Sequence, residues 1–253
     1  MKSKVLIFIF LIVLLFSNCE GDNDNGGGGE GGGGEGGGGG GGKTVTSNEL
    51  GSYDGYDYEF WKNNNASGKM TVGNKGTFSC EWTSNGAGSN ILFRSGRRFS
   101  ATQTFRQVGD ITFNYSASYS PAGTSYLSVY GWTRSPLVEY YIVENYQNGH
   151  PGMWNSPTSY GSFKIEGEGT YNIYKTQMNN APSIDGNGKS FPQYISVRTE
   201  RRTSGTISVT EHFKAWEKAG LDMSGKLYES MMKVEGYQSS GSAKITKNTL
   251  TIK

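Results

Sequence analysis

Two glutamates stand where a bond could be broken without a metal ion. Glu139 lies mid-strand among aromatics in Leu137-Val138-Glu139-Tyr140-Tyr141. Glu235 ends an aromatic and apolar strand and precedes Gly236-Tyr237-Gln238-Ser239-Ser240-Gly241. A carboxylate pair can hydrolyse an acetal, with one carboxyl as nucleophile or base and the other as acid. On the inner face of a sheet a carboxylate is costly unless it is partnered. Residue context alone does not choose this pair. Glu59, Glu81, Glu166, Glu168 and Glu229 also lie in strand-like segments, and a solvent-facing strand glutamate is the ordinary alternative. The sequence has no G-x-S-x-G elbow and no H-E-x-x-H. Its histidines are His150 and His212 and its cysteines Cys19 and Cys80, so neither a histidine-rich metal site nor a four-cysteine zinc site is expected.

The elements that would position such a pair are strands. The chain has 253 residues, 13% aromatic and 18% charged, with a formal net charge of +2. Aromatic and β-branched enrichment with modest charge favours an all-β domain over a coiled coil, a helical bundle or a disordered acidic chain. The small net charge gives no reason to expect nucleic acid. Ile111–Tyr115 alternates, and Tyr126, Ser128, Tyr130 and Trp132 fall on one face of the next strand. In Val138–Val143 the alternation places Glu139, Tyr141 and Val143 together. Further strands are predicted over 162–165, 170–175, 193–199, 205–209, 227–237 and 242–246, with Pro121-Ala122-Gly123 and Ser183-Ile184-Asp185-Gly186 as turns. One helix is predicted. Ser208-x-x-Glu211 fits a capping box, Phe213 and Trp216 form its apolar stripe, and Gly220 stops it. His212 on that helix reads as structural or exposed. One helix among many strands implies a β-sandwich or jelly roll.

The N-terminus reads as an address. Lys2 and Lys4 precede an unbroken apolar run from Val5 to Phe16, long enough for a signal peptide and short for a membrane span. Cys19 directly after that run resembles a bacterial lipoprotein box, so residues 1–18 are expected to be removed and Cys19 lipidated. An ordinary cleaved signal peptide is the alternative. Residues 20–42 are almost all glycine with scattered Glu, Asp and Asn, and cannot bury a core. The linker is placed at 19–48 and the folded domain at 49–253, although composition is already uniform from about Lys43. Cys80 reads as a small buried strand residue.

A resemblance adds to this reading. Tyr130-Gly131-Trp132-Thr133-Arg134-Ser135-Pro136-Leu137-Val138-Glu139-Tyr140-Tyr141-Ile142-Val143-Glu144 is similar to the nucleophile strand of glycoside hydrolase family 11, the family of endo-1,4-β-xylanases. Glu235–Gly241 resembles its acid/base segment, Asn180–Gly186 its thumb loop, and Gln193–Arg198 the strand leaving the thumb. The resemblance implies a β-jelly roll of two curved antiparallel sheets around a cleft, with one α-helix and a thumb loop. It implies Glu139 as nucleophile and Glu235 as acid/base, with retention of configuration. Tyr130, Tyr141 and Gln193 match residues that serve the carboxylates or the sugar. Asn90 matches the neighbour of the acid/base, Trp61 a residue that stacks a xylose, and Pro182, Ser183 and Ile184 the thumb tip. The match departs at Met178, where the family commonly has arginine. No cofactor or metal is implied. The expected partner is xylan and its oligosaccharides, on a monomeric, exported protein that meets a membrane only through a lipid anchor. A non-catalytic xylan-binding protein and a jelly-roll glucanase are the competing readings, and retention of both glutamates and of the thumb motif speaks against them.

Overall fold

The computed structural model describes residues 42–63 and 65–253. The expectations for the signal segment, for Cys19 and for most of the linker lie outside them. Inside the span assigned to the linker, Lys43–Val45 already forms strand β1, paired with β4. The further strands are β2 (Glu49–Tyr53), β3 (Tyr56–Lys62), β4 (Ser67–Val72), β5 (Phe78–Thr83), β6 (Asn90–Arg98), β7 (Ile111–Arg134), β8 (Val138–Gln147), β9 (Thr158–Ile165), β10 (Gly169–Ser183), β11 (Gly186–Arg198), β12 (Ser204–Ser208) and β13 (Lys226–Ile252). Two helices, α1 (Phe105–Val108) and α2 (Val209–Lys218), interrupt them.

The strands form a jelly roll of two layers that share β7 and β13. The inner layer runs β2, β3, β6, β13, β7, β8, β11, β10, β9. The outer layer joins β1, β4, β5 and β12 to the other halves of β13 and β7. The crossing point lies where a turn was expected at Pro121-Ala122-Gly123. That segment is instead continuous strand, paired with Ser239, Ser240 and Gly241 of β13. The chain bends there without ending because β13 carries a bulge between Tyr237 and Ser239, and Gly123 (φ 103°) supplies the left-handed conformation opposite it. The same bend merges the two strands expected over 227–237 and 242–246. One neighbouring pair, β8 with β11, runs parallel; the thumb hairpin lies beyond it.

Alternation then separates two interiors. Phe60, Phe93, Val129, Tyr140, Ile142 and Val234 of the inner layer meet Met70, Phe78, Cys80, Ile111, Phe113 and Ile245 of the outer layer in the main core. Their sequence neighbours point to the opposite, concave face. Cys80 is buried and free, as its strand context suggested.

Helix α2 lies against the core side of the inner layer. Phe213 and Trp216 are fully buried against Tyr140, and burial of this kind is worth about 1.5–3 kcal/mol for each large apolar side chain. Gly220, with φ 86°, closes the helix: its N–H donates to Glu217 O and that of Leu221 to Trp216 O, so both last-turn carbonyls are satisfied. The expected capping box does not form. The Ser208 side chain makes no cap bond, and its hydroxyl donates to Glu168 at 2.5 Å, because tertiary packing brings that carboxylate closer than the first-turn amides. The reciprocal box occurs instead at the one-turn helix α1, between Thr104 and Gln107, which the sequence reading did not place. His212 is completely buried between the rings of Tyr171, Phe163 and Trp216, which settles its structural character.

Candidate active site

The concave face is assembled by strand parity and register. In β13, Lys233, Glu235 and Tyr237 are two apart and share that face. Register pairs Glu235 with Tyr126 and Met231 with Tyr130 across β7. It pairs Tyr130 with Tyr141 and Trp132 with Glu139 across β8, and Glu139 with Gln193 across β11. Residues more than 50 positions apart in sequence thus line one floor.

Glu139 is buried, and each of its oxygens is hydrogen-bonded. Tyr130 Oη donates to Oε1 at 2.7 Å and Tyr141 Oη at 3.1 Å, while Gln193 Nε2 donates to Oε2 at 2.6 Å. Trp132 Nε1 donates to Tyr130 Oη at 2.6 Å, and Thr176 Oγ1 donates to Gln193 Oε1 at 2.7 Å, so both partners are themselves oriented. Burial pushes the Glu139 carboxyl above its ordinary value. The Gln193 amide, the Lys233 ammonium and the Tyr130 hydroxyl pull it back, and the charge of Glu235 adds to the push. Burial, followed by the charge of Glu139, holds Tyr130 and Tyr141 well above the usual phenol value, so both remain donors.

Glu235 is buried too. Asn90 Nδ2 donates to its Oε1 at 3.0 Å, and Lys233 Nζ to its Oε2 at 2.6 Å. Above it lies a small pocket lined by Tyr126, Tyr141, Trp154, Met178, Gln193 and Glu235. Trp154 Nε1 donates to Tyr126 Oη at 2.9 Å and fixes the loop after β8 over the floor.

The structure brings Glu139, Tyr130, Tyr141 and Gln193 into one cluster and Asn90 against Glu235. Trp61 stands on the same face of β3, opposite Leu92, and is 4% exposed. The thumb is a β-hairpin rather than a loop: β10 and β11 continue to Ser183 and Gly186, leaving Ile184 and Asp185 as the turn. Ile184 packs against the cleft cluster of Tyr130, Trp132, Tyr141 and Phe191. Pro182 and Ser183 are buried. The Ser183 hydroxyl closes the turn, donating to Gly186 O and accepting from Asp185 N, both at 3.0 Å. Arg134 Nε holds the tip through Asp185 at 2.6 Å. Met178 lines the cleft wall, its sulfur accepting from Asn155 Nδ2 at 3.3 Å.

Sequence reasoning missed Lys233, Tyr126 and Trp154. Lys233 was within its reach, because a residue two before Glu235 on a strand must share its face. It also missed a buried ion cluster on that face: Arg94 binds both Glu59 and Glu229, with Arg98 3.6 and 3.7 Å from the same two carboxylates. Among the described residues no group of three His, Cys, Asp or Glu is placed to hold a metal ion.

Two buried carboxylates on the concave face of a jelly roll, each hydrogen-bonded at both oxygens and one of them lining the cleft pocket, make a site of the kind glycoside hydrolases use. The comparisons agree. The profile described as Glycosyl hydrolases family 11 matches residues 53–246, and the chain belongs to that family. It is 51% identical over 212 residues to endo-1,4-beta-xylanase A of Bacillus pumilus, covering 83% of this chain and 87% of that protein. It is 52% identical over 212 residues to endo-1,4-beta-xylanase A of Thermoclostridium stercorarium, covering 83% of this chain but only 31% of that much longer protein. The solved family 11 xylanase of Neocallimastix patriciarum superposes with a TM-score of 0.76 at 35% identity, over 83% of this chain and 100% of that one.

Proposed function

We propose that this chain is an endo-1,4-β-xylanase that cleaves xylan with retention through two displacements. The observation that carries the proposal is the unequal setting of two buried carboxylates, Glu139 held by the neutral donors Tyr130, Tyr141 and Gln193, and Glu235 held by Asn90 and Lys233 where it lines the cleft pocket. In the first displacement a Glu139 oxygen bonds to the anomeric carbon as the glycosidic C–O bond breaks, and Glu235 gives its proton to the leaving oxygen. In the second, water attacks the same carbon and loses a proton to Glu235, and Glu139 leaves as the carboxylate. Two like charges so placed resist ionising together, which keeps one proton in the pair when the cycle starts. Trp61, Tyr130, Tyr141, Asn90 and Gln193 on the floor, with Pro182, Ser183 and Ile184 on the thumb, would bound the sugar chain. A cleft walled by Met178 and Phe191 suits xylose units, which lack the hydroxymethyl group of glucose.

The test is release of xylo-oligosaccharides from β-1,4-xylan by the purified protein beside Glu139→Gln, with carboxymethylcellulose as control. Release by the wild type alone is expected. Xylan binding without release by the folded wild type would make the protein a binding module. The N-terminal reading extends the proposal to a monomeric lipoprotein tethered at Cys19, supported by the Lys2/Lys4 and Val5–Phe16 pattern. Recovery in the culture medium instead of the membrane fraction would sink the tether.

A further inference from the structure

Lys233 is a buried cation in the cleft to which the two displacements assign no task. It is 0% exposed, and its Nζ donates to Glu235 Oε2 at 2.6 Å. The same nitrogen stands 3.7 Å from the ring centroid of Tyr130 and 4.1 Å from that of Tyr141. Those tyrosines are the two that donate to Glu139. The ammonium therefore sits between the two carboxylates, over the rings that orient one and bonded to the other.

The charged groups around it are few. On β13 itself there is Glu235, on β8 Glu139 and on β6 Arg94, whose register partner is Lys233; β7 and β8 add the phenols Tyr130 and Tyr141. Arg94 lies 5.1 Å from the Tyr130 centroid but is committed to Glu59 and Glu229. Among the described residues that leaves Lys233 as the cation for Glu139 and Glu235. Burial pulls its ammonium below the ordinary lysine value, Glu235 and Glu139 oppose that fall, and Arg94 adds to it.

We propose that Lys233 is a positioning residue that acts through Glu235, holding that carboxyl in its proton-accepting form. The inference rests on the retaining reading above. A cation bonded to one oxygen favours the carboxylate. That state is the one needed in the second displacement, when Glu139 is an ester and carries no charge. It opposes the first displacement, which needs a proton on Glu235. The enzyme's kcat/KM is therefore confined to lower pH than the carboxylate pair alone would allow, in exchange for a prompt second step.

The test compares pH profiles of wild type and Lys233→Met, which keeps the length and loses the charge. The alkaline limb of kcat/KM should move up by about one to three pH units. Above the wild-type limb this is about a ten-fold gain or more in kcat/KM. Release of the covalent sugar, followed after trapping with a 2-fluoroxylosyl inactivator, should slow. A limb within about 0.3 pH unit of wild type, less than a two-fold effect, overturns the proposal. A second measurement needs no variant: in wild type carrying lysine labelled with carbon-13 at Cε, one resonance should report an ammonium at the pH of activity and shift when Glu139 is esterified. A neutral amine there, or no shift, overturns it equally. A wild type that releases no sugar and resists the inactivator refutes the retaining reading and the role of Lys233 with it. An active wild type with an unmoved limb refutes Lys233 alone.

Discussion

Gln193→Met isolates one of the hydrogen bonds that favour the ionised form of Glu139, the proposed nucleophile. Gln193 and Glu139 are cross-strand partners on the parallel pair β11 and β8, so their contact is set by register and the replacement leaves it in place. Methionine keeps the length and removes the 2.6 Å donor to Oε2. A hydrogen bond to a charged group is worth about 1.5–3 kcal/mol, and one pH unit corresponds to about 1.36 kcal/mol. The amide favours the ionised carboxyl, and burial already pushes Glu139 up. Without the amide it rises further, and the acid limb of kcat/KM should move to higher pH by about one to two units. The loss of rate should be greatest on that limb and shrink on the plateau, where the carboxyl ionises anyway. Thr176 loses its acceptor at 2.7 Å, so the fold weakens too, by about 1–3 kcal/mol, and assays belong well below the unfolding temperature. The assay is initial rate on soluble xylan from pH 3 to 9 with unfolding monitored in parallel. An acid limb that stays in place, or moves down, refutes the argument that this amide holds Glu139 ionised.

Arg94→Met should destabilise the fold by about 3–5 kcal/mol, because Glu59 and Glu229 are left buried without their principal cation. For a domain of this size that is about 6–20 °C in Tm. Glu229 is already raised by burial, with Arg94 the first restraint, so its contribution is favourable below its ordinary value and lost as pH rises through the folded one. The deficit should be small near pH 4 and large near pH 7, and equal deficits in thermal unfolding at the two pH values would contradict this. His212 is pushed down to about 3, by burial and then by Arg202, and neither of its ring nitrogens has a partner among the described residues. Its depressed value means stability is present above pH 6.5 and lost as pH falls toward 3, at up to about 1.4 kcal/mol per pH unit. His212→Phe should flatten that slope in urea unfolding, and an unchanged slope would place the acid sensitivity elsewhere, for instance on His150, which burial pushes down to about 4.

Much of the site was legible because a strand has period two. Tyr130 and Trp132, and Glu139 and Tyr141, had to share a face, and the structure finds both pairs on the concave one. The short-range signals fared worse. Ser208 has the spacing of a cap and gives its hydroxyl to Glu168, and Pro121–Gly123 has the composition of a turn and is paired strand. In each case a partner distant in sequence outbid the local one. The buried ion cluster of Arg94, Glu59 and Glu229 left no mark on the sequence, since nothing in a charged strand residue announces which face will be closed over.

What the sequence determined by itself is therefore alternation: which side chains travel together on each strand, and that one helix with Phe213, Trp216 and Gly220 would pack against them and stop. What only the tertiary structure decided is which of the two faces becomes the cleft floor and which strands adjoin. The physical reason is register. Glu139 meets Gln193 on a parallel neighbour, and Glu235 meets Asn90 and lies beside Lys233, because the bent strands β7 and β13 carry one sheet through two layers. A shift of one residue in any of those pairings would turn the same side chains to the opposite face and leave the carboxylates unpartnered.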